Sequence, residues 1–225
     1  GALVNDVLDY HLRPLVRVPH LVVCGAGEDG DETHALPLSA ASPGEWLRLE
    51  DRYANASPVI VRRGELLLTG GFQHDCSLLS PRTGRWRDGP SLSTVRGSLC
   101  SAQVGRVSVV CGGEDDIGRT LSSTLLLPAG DAAQWTRGCE MAIARSDAGG
   151  AVVAAADARA HRLLVVGGVD SGFRRLDSCE IYDAAADRFS LQEVRLPQSM
   201  TCHAALIAGG SAVLAVQLDD REITE

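Results

Sequence analysis

Four short apolar runs, each closed by glycines, set the terms on which this chain folds. Leu21–Cys24 runs into Gly25-Ala26-Gly27, and Leu66–Thr69 into Gly70-Gly71. Val107–Cys111 runs into Gly112-Gly113, and Leu163–Val166 into Gly167-Gly168. The first glycines lie 45, 42 and 55 residues apart. A large aromatic follows each at 16 to 23 residues: Trp46, Trp86, Trp135 and Phe189. A two-part mark recurring in order at this period signals a repeat architecture, in which each unit buries its apolar faces only against its neighbours. Continuous apolar runs of four or five residues read as strands covered on both faces. Glycines at their ends permit positive φ and close backbone approach.

Further marks keep the same order. Ser77–Trp86 and Glu180–Phe189 each read as a strand, a turn and the aromatic. Arg96 and Arg145 lie ten residues after Trp86 and Trp135, with Leu92 and Met141 four residues before them. A second apolar run precedes each later unit's glycine-ended strand or opens the final partial unit: Val59–Val61, Leu99–Val104, Ala151–Ala155 and Ala204–Ala208. With Glu180, Tyr182 and Asp183 in the fourth unit and Met141-Ala142-Ile143-Ala144-Arg145 in the third, the pattern resembles the kelch repeat over residues 21 to 218.

That resemblance implies an all-β chain, a kelch-type β-propeller with four to five four-stranded blades in view. The units run over about 21–56, 57–98, 99–149, 150–203 and, in part, 204–225. Departures are visible: Gly25-Ala26-Gly27 replaces the doublet, Phe189 replaces Trp, and neither Trp46 nor Phe189 has an Arg ten residues on. The Trp is expected to fill the space between blades, so that Trp86→Ala costs about 3–5 kcal/mol. Propellers close with about four to eight blades. This chain is short for that: further sequence or a partner covering an open blade edge is expected, ahead of a small ring closed by the C-terminal strands completing the first blade. Residues 1–20 differ in character, with Leu3, Val4, Val7, Leu8 and Leu12 at helical spacing before Pro14. Tyr10–Pro14 resembles the junction that leads into the propeller of BTB–kelch proteins.

Composition narrows the function. With 21 Lys and Arg against 29 Asp and Glu, the net charge is -8, which argues against binding a phosphate backbone. The longest nearly unbroken apolar stretch, Ala204–Val216, is 13 residues, short of the roughly 20 a membrane helix needs. Seven cysteines stand singly and form no C-x-x-C, which fits reduced thiols and a cytoplasmic or nuclear setting.

Gly25-Ala26-Gly27-Glu28-Asp29-Gly30 spells G-x-G-x-x-G. A dinucleotide site needs a helix next, but an acidic stretch and Pro37 follow. The six histidines show no paired metal-ligand spacing, and His74-Asp75-Cys76 reads as a surface loop. The Tyr and His set of a kelch-type copper oxidase, a sialidase box and a G-x-S-x-G elbow are all missing. No cofactor is expected. A metal-dependent oxidase on the same scaffold is the alternative to a non-catalytic role.

The resemblance places Arg96 and Arg145, with Ser98, Ser146 and Asp147 beside them, near the mouth of an axial channel. There they grip an acidic peptide by charge-assisted bonds, or they brace blade junctions. The loops after the glycines, Glu28–Thr33, Glu114–Thr120 and Asp170–Arg175, vary in length and charge and form a second candidate surface. The expected function is a protein–protein interaction module or assembly subunit, including the substrate receptor of a ubiquitin-ligase adaptor. Its partners are other proteins, met at the channel mouth or the loop face, with no nucleic acid and no membrane.

Overall fold

The structure is a computed structural model. It describes the backbone of residues 20–27, 30–39, 42–43, 47–49, 59–62, 65–80, 85–130, 134–154, 161–201, 204–208 and 212–216. Side chains are described within 65–80, 85–130, 134–153 and 161–201. The helical segment expected before residue 20 lies outside the described residues.

Every regular element among the described residues is a strand, and every pairing is antiparallel. The first sheet holds β1 (His20–Gly27), β2 (Gly30–Ser39), β3 (Ser42–Pro43) and β4 (Leu47–Leu49). The second is the meander β5 (Val59–Arg62), β6 (Glu65–Leu68), β7 (Ser77–Ser80) and β8 (Arg85–Asp88). The third follows with β9 (Cys100–Val104), β10 (Val107–Cys111), β11 (Thr124–Pro128) and β12 (Thr136–Arg137). The fourth holds β13 (Gly149–Ala154), β14 (His161–Val166), β15 (Ser178–Asp183) and β16 (Arg188–Arg195). A two-stranded sheet, β17 (Ala204–Ala208) and β18 (Ala212–Val216), comes last.

In the second, third and fourth sheets the strands lie side by side in chain order. The first strands β5, β9, β13 and β17 contact one another in succession. This stacking follows from the side-chain alternation of a strand. On β10, Val109 and Cys111 join the cluster shared with the fourth sheet, alongside Leu163, Val165 and Tyr182. Val110, from the other face of β10, joins the cluster shared with the second sheet, alongside Leu67 and Leu78. The third sheet is therefore apolar on both faces. Each fully buried Leu or Val contributes about 1.5–3 kcal/mol.

Two expectations need correction. Glu28–Thr33 is not a long loop: β2 starts at Gly30, and Ala26 pairs with Asp31 and Gly27 with Gly30 in a hairpin. Gly25 and Gly27 lie inside β1, paired with Glu32 and Gly30, rather than launching a connection. Nor do the tryptophans play one role. Trp135 is 9% exposed and its indole N–H donates to Pro90 O at 2.7 Å, joining the third sheet to the second. Trp86, on β8, is only half-buried. Trp46 lies outside the described residues. In the fourth sheet Phe189 stacks at 4.9 Å on Tyr182, whose hydroxyl donates to Asp187 Oδ1.

Candidate functional site

The connectors between sheets carry the arginines that the repeat pattern singles out. Arg96 lies four residues before β9, and Arg145 four before β13. Arg96 Nη1 donates to Gly112 O at 3.0 Å and Ser123 O at 2.8 Å, and Nη2 to Ser123 Oγ at 2.8 Å. Arg145 repeats the set on Gly167 O, Ser178 O and Ser178 Oγ. Both side chains bind the sheet that follows them. Their backbones bind the sheet before: Phe72 N donates to Arg96 O, Gly113 N to Arg145 O, and Arg145 N to Leu121 O. One residue thus clasps two sheets.

Glycine is required at this joint. Gly168 holds φ +97°, and a Cβ there would fall 2.5 Å from Ser146 O. With φ positive and no room for a side chain, only glycine fits.

The two clasps differ in charge. Arg145 also pairs with Glu180 Oε1 at 2.8 Å, both side chains fully buried. Glu180 accepts from the backbone N–H groups of Ala142 and Ile143 as well. Arg96 has Leu125 at the position that Glu180 fills in the fourth sheet, two residues after the clasp serine. Burial pulls its guanidinium down to about 10, still charged at neutral pH.

Of the two readings that the sequence left open for Arg96 and Arg145, the geometry is that of the brace. Each is 1% exposed, so neither presents a guanidinium to an incoming carboxylate. Ser146 is buried, and its hydroxyl donates to Glu114 Oε1 at 2.9 Å. Ser98 and Asp147 are half-buried. They occupy equivalent left-handed positions, φ +48° and +49°, and Asp147 N donates to Ser98 O.

A third joint was missed in the sequence. Met200 N donates to Leu176 O, and Met200 O accepts from Gly168 N. Met200 lies four residues before β17, as the arginines lie before β9 and β13. Counting back from the next apolar run, rather than forward from the aromatic, would have found it.

The loops after the glycines emerge beside these joints. Two share one construction. Asp115 Oδ1 accepts from Ile117 N and Arg119 N, while Oδ2 accepts from Arg119 Nε. Asp170 does the same with Gly172 N, Arg174 N and Arg174 Nε. Backbone donors, together with these arginines, hold both carboxyls below the usual aspartate range. The loops present large apolar side chains to water: Phe72 at 42%, Ile117 at 68% and Phe173 at 83% exposure.

Chemistry-bearing groups are otherwise quiet. Burial pushes the Cys76 thiol up to about 12, and Cys139 to about 11 with help from nearby Asp187. No group of three His, Cys, Asp or Glu among the described residues is placed to hold a metal. No helix among them is long and apolar enough to cross a membrane. In comparisons with known proteins, no family model and no curated sequence matches this chain.

Proposed function

We propose that this chain is a kelch-type β-propeller acting as a non-catalytic protein–protein interaction module, as an assembly subunit or as the substrate receptor of a ubiquitin-ligase adaptor. Successive four-stranded meanders with neighbouring first strands support the architecture, because blades around an axis pack in that way.

The observation that carries the function is the exposure of Phe72, Ile117 and Phe173 on the loops that join the second and third strands of three successive sheets. Exposed apolar side chains grouped on a scaffold mark interaction sites. The loops that carry Ile117 and Phe173 satisfy their own polar groups through Asp115 and Asp170, so the tips are held ready rather than collapsed. The docking face therefore shifts from the buried arginines to these loops.

The test is affinity capture from cell extract with wild type and the triple variant Phe72→Ser/Ile117→Ser/Phe173→Ser. The wild type is expected to retain a defined protein set that the variant loses, with its melting temperature preserved. An unchanged set overturns this reading.

A further inference from the structure

Resting on that reading, the geometry points to a particular partner chemistry: we propose that the loop end takes an extended peptide segment bearing large apolar side chains next to Lys or Arg.

Two observations combine. The first is the cost at which the apolar groups are displayed. Phe72 and Phe173 both hold φ +58°, a left-handed backbone that is a genuine outlier for a bulky residue. Phe173 stands where the sister loop has Gly118, at φ +75°. Each lies one residue before the loop's arginine, Arg174 or Arg119. Local propensity favours glycine there, and burial gives Phe173 nothing in return. The ring of Phe72 packs on Gly97, where a Cβ would clash with it, so one aromatic rests partly on the joint while the other projects. Strained residues gather at sites where a ligand uses them.

The second is the charge around them. Asp115 and Asp170 are neutralised by Arg119 and Arg174 in their own loops. Among the described residues, the Asp75 side chain bonds only the Ser91 hydroxyl and the Glu114 side chain only the Ser146 hydroxyl. Asp116 and Asp147 make no ion pair among the described residues. Among the described residues of these loops and joints, four carboxylates are thus left over against two cations without a carboxylate partner, the exposed Arg175 and the buried Arg96. A basic side chain landing here meets carboxylates and aromatic faces together, which attract it by charge and by cation–π contact. An acidic segment is repelled. A second copy of this chain would present the same surplus of negative charge, which disfavours pairing through this end.

The experiment pans a random twelve-residue peptide library on the intact chain, then measures the selected peptides by fluorescence anisotropy. Enrichment of aromatic or aliphatic residues adjoining Lys or Arg is expected. Affinity should fall at least tenfold in Phe72→Ser/Phe173→Ser. It should fall about threefold to tenfold in Asp116→Asn/Asp147→Asn, and on raising salt from 50 to 300 mM. The carboxylate variant leaves the apolar display intact and keeps the test independent of folding.

Selection of acidic or uncharged peptides overturns the proposal. So does failure to select any peptide while extract capture still depends on the three apolar residues, which means that the partner docks as a folded surface and leaves the interaction-module reading standing. A dimer in sedimentation that the Phe72→Ser/Phe173→Ser variant dissolves also overturns it.

Discussion

Tryptophan at one repeated position does two different jobs here, and the difference is measurable. Trp135 is buried and donates its N–H to Pro90 O. Trp135→Ala removes that bond and leaves a cavity between the second and third sheets, so a loss of about 3–5 kcal/mol is expected in urea unfolding. Half-buried Trp86 is expected to cost about 1–2 kcal/mol, less than the sequence reading assigned it. Burial separates the cysteines in the same way. Cys76, Cys100 and Cys111 are 2% exposed or less. The Cys111 thiol is raised by its hydrogen bond with Cys100 and by burial. Thiolate is the reactive form, so Ellman's reagent at pH 8 should leave these three unmodified in the native protein and label them on unfolding.

At the scale of the element, the clasps and the loops each have their own electrostatics. Glu180→Leu leaves Arg145 uncompensated and the N–H groups of Ala142 and Ile143 without their carboxylate. A loss of about 3–5 kcal/mol is expected, as for any buried pair broken on one side. Adding Arg145→Met, the side chain found at the third joint, should recover part of it in the same unfolding assay.

The carboxyls of Asp115 and Asp170 have folded-state pKa values below the ordinary one. Their contribution is complete above the unfolded aspartate pKa of about 3.9, and is lost as pH falls through the lower folded value. Amide shifts of Ile117, Arg119, Gly172 and Arg174 should therefore hold steady down to about pH 4 and move together below it.

Elements were also where the sequence was most readable. Doublets such as Gly112-Gly113 and Gly167-Gly168 mark strand ends because positive φ there leaves no alternative to glycine. The first unit misled because Gly25-Ala26-Gly27 lies inside a paired strand, and composition does not distinguish glycine in a strand from glycine opening a long connection. Arg96 and Arg145 were found by spacing. Whether a guanidinium faces a partner or a carbonyl depends on contacts 16 to 35 residues away, which spacing does not contain. The loop-tip apolar residues carry no motif; their exposure emerges only once Asp115 and Asp170 fold the loops around themselves.

For the whole molecule, the third sheet is the hinge of stability, because its two faces feed two separate apolar clusters. Leu67→Ala in one cluster and Leu163→Ala in the other should each lower the midpoint of a single shared unfolding transition by about 2–5 kcal/mol. Two transitions that respond separately to the two changes would show that the sheets unfold independently. The joints between sheets have a consequence of another kind. Their acceptors are largely main-chain carbonyls, those of Gly112, Ser123, Gly167 and Ser178, and a carbonyl is present whatever residue occupies the position. Exchanging Ser123 or Ser178 for a residue without a hydroxyl therefore removes one hydroxyl acceptor and leaves in place the carbonyls by which each arginine ties its two sheets together.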